Sequence, residues 1–394
     1  MNREVLLVSH GFQPHYELCV ANGLAENGLS VTLPGSDRTL VGQLREGVSF
    51  VNLRGSQDEG RPRWRKAQGL LRYHLRLLLL ALRHPRQPMV IIGMTSPEWL
   101  VGVVEGLLFR ATGRKLALVV HNILPHDRHT PQMRRVYRLI YRIPSRLLVH
   151  TQVTRERLML EFGIRPDKIL LVPHGLNEAV ARRTEDVACA KRRLGLDADR
   201  PAALFFGHVS PFKGIDLLLD ALDHMPHVQL IVAGRCHTDE FGQRMRRRLS
   251  QLSAAGRIRW FDGYVDDDTT ADVYSAAELV VLPYRHIDQS GVLMQALALG
   301  VPVAATRTGG FLEVVDPGNG VFIEELSPAG IARTVCAYFE RGDRPTAAQV
   351  RATVGHLRWR YTMAPLVEWL RGRDPTQETE QASEVGARWQ GDAQ

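Results

Sequence analysis

Apolar residues along the chain fall into short runs, each followed by a longer stretch in which apolar positions recur three and four apart. Runs at residues 4–9, 29–33, 89–93, 116–121, 147–151 and 169–172 predict strands. Near-continuous apolar runs of this length suit strands buried on both faces. The stretches between them predict helices; the first follows His10-Gly11 and reaches Asn27, with Gly28 as its stop. This alternation predicts a parallel, doubly wound sheet, and Pro173-His174-Gly175 closes it. A second alternating set places strands at 202–206, 229–233, 258–262, 279–283, 301–305 and 321–323. Residues 176–200 read as a charged linker with a lead-in helix, and 373–394 as a loose tail. At 394 residues the chain exceeds one ordinary core. We expect two Rossmann-like α/β domains, 1–176 and 177–372, with the final helix free to pack back on the first.

Charge changes this picture. Residues 1–175 carry 25 Lys and Arg against 13 Asp and Glu, a net of +12; the remainder carries 25 against 29, a net of −4. The surplus sits in two stretches. Residues 61–86 hold eight basic groups and no acid among Trp64, Tyr73 and many leucines, and 128–157 hold eight arginines and one acid, Glu156. A solvated helical face would have such charge; interleaved leucines and aromatics point further, to an anionic partner such as a lipid surface. Nucleic acid is the weaker expectation, since no nucleic-acid module is visible and the second half is acidic. The four cysteines (19, 189, 236, 336) are scattered without a CxxC pair and read as reduced core residues of a cytoplasmic protein. The opening residues lack the apolar run of a signal peptide. The most apolar stretch, 75–82, contains Arg76 and is far short of the roughly 20 residues that span a bilayer.

Candidate chemistry lies in two loops of the second half. Residues 203–216 and 282–310 each read as strand, glycine-bearing loop and helix start. A helix start presents unpaired N–H groups and partial positive charge, which suits an anion. With Lys213 in one loop and Ser290-Gly291 in the other, the pair predicts a cradle for a pyrophosphate, hence a nucleotide-activated substrate. Asp266-Asp267-Asp268 precedes a helix and reads as its cap, not as a metal motif. His121, His126 and His129 lack an acidic ligand at suitable spacing, so no metal is expected there.

Read in order, the chain resembles the family 4 retaining glycosyltransferases of the GT-B fold. The resemblance rests on Val120-His121-Asn122 with Pro125-His126, on His150-Thr151 and on Pro173-His174-Gly175. It continues through Gly207 to Gly214, Leu282-Pro283-Tyr284, Gln289-Ser290-Gly291, Gly300-Val301-Pro302 and Gly309-Gly310. It implies two domains facing across a cleft and transfer of a sugar from a nucleoside diphosphate sugar to an acceptor hydroxyl, with retained configuration. The implied mechanism is a front-side displacement needing no metal and no cofactor beyond that co-substrate. His121, Lys213 and Asp288 would be catalytic. Gly207, His208, Lys213, Gln289, Ser290, Gly291, Val292 and Gln295 would hold the donor, and His10, Gly11, His15, Asn122 and His126 would face the sugar and acceptor. The basic first half favours an acceptor glycan, glycolipid or anionic small molecule, with the protein peripheral on the inner membrane face.

Three positions depart from the family pattern. His208 stands where an arginine is common, so a single imidazole donor replaces a charged fork. Gln295 replaces the second of two glutamates, and Asp288 lies seven residues before it, one short of the usual spacing. These departures leave open a sugar-nucleotide epimerase on the same fold and a donor-binding scaffold without catalysis.

Overall fold

The structure, a computed structural model, describes residues 4–58, 60–94, 98–124, 130–180 and 186–373, the side chains of 98–100 excepted. The chain forms two compact units, one of residues 1–175 with 357–394 and the other of residues 176–356.

The first unit contains β1 (Glu4–Val8), α1 (Pro14–Glu26), β2 (Ser30–Ser36), β3 (Val48–Gly55), α2 (Arg63–Arg83), β4 (Met89–Ile91) and α3 (Glu98–Ala111). It continues with β5 (Leu116–Val119), α4 (Pro131–Arg142), β6 (Arg146–Val149), α5 (Gln152–Phe162) and β7 (Ile169–Leu171). Its seven strands run in the order β3-β2-β1-β4-β5-β6-β7, and every pair is parallel. Leu6, Leu7 and Val8 are fully enclosed because β1 is central and covered on both faces. Gly28, at φ 75°, stops α1 as expected. β3 is absent from the sequence reading: it lies at the sheet edge, with Val51 exposed, so its apolar run is broken.

The second unit contains α6 (Val187–Arg193), β8 (Ala202–Phe206), α7 (Ile215–Ala221), β9 (Gln229–Gly234), α8 (Glu240–Ala254), β10 (Ile258–Asp262) and α9 (Asp267–Ala276). Then follow β11 (Leu279–Leu282), α10 (Gly291–Ala298), β12 (Val303–Thr306), β13 (Gly320–Ile323), α11 (Pro328–Glu340) and α12 (Ala347–Thr353). The strand order is β10-β9-β8-β11-β12-β13, again all parallel. In such sheets the strand order reverses beside the first strand, between β1 and β4 and between β8 and β11. Ligands bind outside the carboxyl ends of the strands at that switch point.

The last helices pack back on the first unit, as the expectation allowed: the second unit ends at His356, before 372, and α13 (Trp359–Thr362) and α14 (Ala364–Arg371) belong to the first. Trp359 packs so closely on Gly23 and Gly175 that a β-carbon at either would lie within 2.8 Å of it. Asn27 Nδ2 donates to the Arg360 carbonyl (2.9 Å) and Lys115 Nζ to the Trp369 carbonyl (2.8 Å). The cysteines are free thiols, but Cys189 is exposed, so it is no core residue. The predicted tail, apart from Arg373, lies outside the described residues. Asp266 caps α9 as expected, accepting the Thr269 N–H at 2.7 Å.

Candidate functional site

In the second unit the two loops that the sequence singles out form one assembly. Gly207 follows β8 at φ 97°, and a β-carbon there would lie 2.6 Å from Lys213 Nζ and 3.5 Å from Val292 Cγ2. Lys213 ends a single 3-10 turn, Pro211–Lys213. The next residue, Gly214, has φ 67°, and a β-carbon would stand 2.0 Å from the Pro283 carbonyl oxygen. Only glycine permits this approach, which seats the β8–α7 loop on the end of β11. Arg285 fastens the seat. Its guanidinium donates to both Asp216 oxygens (2.9 and 2.8 Å) and to the Pro211 carbonyl, and its backbone N–H donates to the Phe212 carbonyl (2.7 Å).

Lys213 is half-buried, and its ammonium lies 5.4 Å from the centre of the enclosed Tyr284 ring. Among the described residues no carboxylate pairs with it. Burial lowers its pKa to about 8, because a charge drawn from water without compensation is disfavoured. His208 stands beside it, stacked on His237 at 5.6 Å. Its pKa is also lowered, first by burial and then by the nearby Lys213, His237 and Arg235.

Ser290 caps α10: its Oγ accepts the Leu293 N–H at 3.3 Å, which fixes the hydroxyl at the helix start and leaves its O–H to donate. Gly291 opens the helix, and a β-carbon on it would meet nothing within 4 Å. Gln295 is buried in α10, and Gln289 directly precedes the cap. Asp288 offers its carbonyl to the Gly310 N–H (3.2 Å). Gly309 has φ 49°, and a β-carbon there would sit 1.6 Å from the Ile287 carbonyl oxygen. Gly309 thus needs its glycine for a close approach to the protein's own backbone, and Gly310 does not share its positive φ.

In the first unit three histidines stand at the carboxyl ends of adjacent strands: His121 after β5, His150 after β6 and His174 after β7. His121 Nε2 donates to the Ile92 carbonyl (2.7 Å) and His150 Nδ1 to the Val172 carbonyl (2.7 Å). The second bond fixes the tautomer, so His150 Nε2 accepts from the Tyr16 hydroxyl at 2.8 Å. His174 Nδ1 donates to the Gly175 carbonyl (2.7 Å). Tyr16 packs edge-on against His121, His150 and Trp359 at 4.6, 5.9 and 5.3 Å. Burial, and then the neighbouring His150, lower the His121 pKa to about 3; burial lowers His150 to about 4. His174 is shifted in the same direction by burial and the other two. All three are neutral near pH 7.

His10 follows β1 at φ 54° and is buried. Its Nδ1 meets the Tyr73 hydroxyl at 2.8 Å, and its Nε2 lies 3.1 Å from Glu105 Oε2. Burial alone would raise the Glu105 pKa, but His10 and His74 lower it to about 2. Gly11 has φ 76°, His15 is half-buried in the first turn of α1, and Asn122 follows His121. His126 lies outside the described residues.

Residues 18–180 match the family described as Glycosyltransferase Family 4, and residues 200–341 match Glycosyl transferases group 1. The chain belongs to the family 4, group 1 glycosyltransferases. Its fold is GT-B. Relatives of this glycosyltransferase include D-inositol 3-phosphate glycosyltransferases. That of Geodermatophilus obscurus is 29% identical over 89% of the chain and 82% of its own length. That of Segniliparus rotundus is 30% identical over 54% of the chain, which spans about half (48%) of that relative. Among solved structures, sucrose-phosphate synthase of Thermosynechococcus elongatus aligns with a TM-score of 0.70 at 19% identity, covering 94% of this chain and 98% of that one. HepE of Anabaena, solved with UDP-glucose, aligns at 0.68 and 20% identity over the same shares.

The sequence reading of this glycosyltransferase missed His150, His174, Tyr16, Trp359 and Glu105 as neighbours of the predicted site residues. A signal for two of them was present. Val120-His121, Val149-His150 and Pro173-His174 each end an apolar run with histidine, and parallel strands in register align such ends.

Proposed function

We propose that this glycosyltransferase takes its sugar from a nucleoside diphosphate sugar and transfers it, with retention and without a metal, to an acceptor hydroxyl. The observation that carries the reading is Lys213: a half-buried ammonium with no carboxylate partner among the described residues, beside Gly207 and the loop that opens α10. Such a charge awaits an anion, and a leaving diphosphate gains charge as the glycosyl bond breaks. His208 and the first-turn N–H groups of α10 supply further donors, and Gln295 an amide for the ribose. In the first unit the neutral His121 and its row of ring neighbours offer a platform for the transferred sugar, with Asn122, His15 and Gly11 on the acceptor side. Asp288 is assigned to the same donor loop.

The acceptor we favour is anionic. The basic surplus of the first half has the matching sign, and relatives bear the name D-inositol 3-phosphate glycosyltransferase. A lipid-bearing acceptor is favoured by α2. There Leu71, Leu75, Leu79 and Leu82 are 72%, 57%, 49% and 52% exposed at spacings that form one stripe. Arg65, Arg72, Arg76 and Arg83 line the stripe's flank, while Tyr73, Leu77 and Ala81 face the core. No helix among the described residues is long and apolar enough to cross a membrane, so the docking would be interfacial.

The test is a thermal-shift panel of UDP-, GDP-, ADP- and dTDP-sugars, followed by product analysis with the labelled donor that binds. Stabilisation by one nucleotide and a glycoside of retained configuration support the reading. A donor rearranged without transfer would replace it with an epimerase, and binding without turnover with a scaffold.

A further inference from the structure

We propose that His10, His74 and Glu105 form a zinc-type metal site that pins the turn between β1 and α1. The three residues come from separate elements: the end of β1, α2 and α3. Their donor atoms lie within 4.8 Å of one another. Glu105 Oε2 is 3.1 Å from His10 Nε2, and Glu105 Oε1 is 3.3 Å from His74 Nδ1. A tetrahedral ion with bonds of about 2.0–2.2 Å holds its ligands about 3.3–3.5 Å apart; the two histidine–carboxylate pairs stand near that spacing, and the widest separation, up to 4.8 Å, would close by about an ångström on binding. Two imidazoles and one carboxylate are a zinc donor set that leaves a fourth position for water.

His74 Nδ1 and Glu105 Oε1 stand at hydrogen-bonding distance, 3.3 Å, whereas the His10–Glu105 pair is poorly aligned for such a bond. His10 Nε2 is buried 3.1 Å from Glu105 Oε2, an ion-pair distance, but off the direction of a well-formed hydrogen bond. The imidazole and the carboxylate approach side by side, a placement that two ligands of a common centre share. The other ring nitrogen, Nδ1, meets the Tyr73 hydroxyl at 2.8 Å. Metal-bound histidines characteristically hold such an outer partner, which sets the tautomer and the ring orientation. The His74 side chain is 21% exposed and gives an ion a route in.

The site has a mechanical purpose. Between β1 and α1 the backbone bends through two non-glycine residues at positive φ, His10 at 54° and Gln13 at 20°. Left-handed backbone is unfavourable for a non-glycine residue, so ties to neighbouring elements help hold the turn. An ion would tie it to α2 and α3 at the carboxyl end of β1, beside the sheet's switch point. The role is structural and does not depend on the transfer chemistry proposed above.

The full chain, stripped with a chelator, is titrated with Zn²⁺ against a chromophoric competitor and separately with Co²⁺. We expect one ion per chain, a tetrahedral cobalt band in the visible and a higher Tm with zinc. His74→Ala, at a partly exposed position, should abolish the stoichiometric site and the cobalt band while the chain still folds. Tyr73→Phe should weaken zinc about 10- to 100-fold, the effect of losing an outer-sphere partner. A chain that binds no zinc at one equivalent, or a His74→Ala variant that binds it like the parent, overturns the proposal.

Discussion

Replacing Lys213 with methionine keeps the apolar stem and removes the charge. The effect on the unliganded protein follows from the pKa. A lysine held at about 8 instead of 10.5 is about 3 kcal/mol less favourable when charged, at ~1.4 kcal/mol per unit. Lys213 is half-buried, so screening reduces this to about 1–2 kcal/mol. Between pH 8 and 10.5 the unfolded chain binds more protons than the folded one. The cost of the charge is therefore fully present below pH 8 and disappears as pH rises through that window. Lys213→Met should stabilise the free protein at pH 7, raising Tm by about 2–8 °C for a domain of this size. Binding should move the opposite way. A hydrogen bond to a charged partner contributes about 1.5–3 kcal/mol, so affinity for a nucleoside diphosphate should fall about 10- to 150-fold. In the parent, affinity should also decline as pH rises past about 8, where the ammonium loses its proton. Calorimetric titration with UDP and the other diphosphates, beside differential scanning calorimetry of both proteins, reads all three effects. A variant that is less stable than the parent and binds the diphosphate equally well would refute the assignment of Lys213 to an anion.

Other outcomes follow from the same geometry. Gly214→Ala places a β-carbon 2.0 Å from a carbonyl oxygen at a left-handed backbone; we expect more than about 3 kcal/mol of lost stability, and an unchanged urea midpoint would contradict the packing described. Arg285→Lys keeps the charge but loses the fork to Asp216, so donor KM should rise roughly tenfold with little change in Tm; an unchanged KM removes Arg285 from positioning the Lys213 turn. His121 and His150, held at about 3 and 4 against 6.5, resist protonation in the folded state. Their contribution is full above pH 6.5 and declines as pH falls toward 4, so urea unfolding at pH 7 and 5 should give a lower midpoint at pH 5, with a smaller drop for His150→Gln. Leu75→Glu should detach the protein from anionic vesicles, and high salt should weaken the parent's binding; sedimentation with vesicles that is indifferent to both would end the membrane reading.

How far the sequence alone reached varies by residue. The alternation of enclosed strands and amphipathic helices was legible because burial on both faces leaves no polar position in a run such as Val5 to Val8. The Asp266 cap and the Gly28 stop were legible because both are local, set within a few residues. β3 was not, because an edge strand keeps one side in solvent. Nor could the sequence tell that the Ser290 oxygen accepts the Leu293 N–H, or that Gly309 passes close to the Ile287 carbonyl, since both depend on how a loop closes.

What the sequence determined by itself was therefore the class of fold, its two-part organisation and the glycine-bearing loops, all of which follow from periodicity and backbone sterics. What only the tertiary structure decided was who meets whom. His121, His150 and His174 become neighbours because parallel strands in register bring their ends level. Trp359 reaches Tyr16 because the last helices belong to the first unit. Glu105, unremarkable on α3, stands beside His10 because α3 and the end of β1 meet at one end of the sheet. Such pairings join residues far apart along the chain. The physical reason is that periodicity carries only local information, whereas these contacts come from the close packing of whole elements.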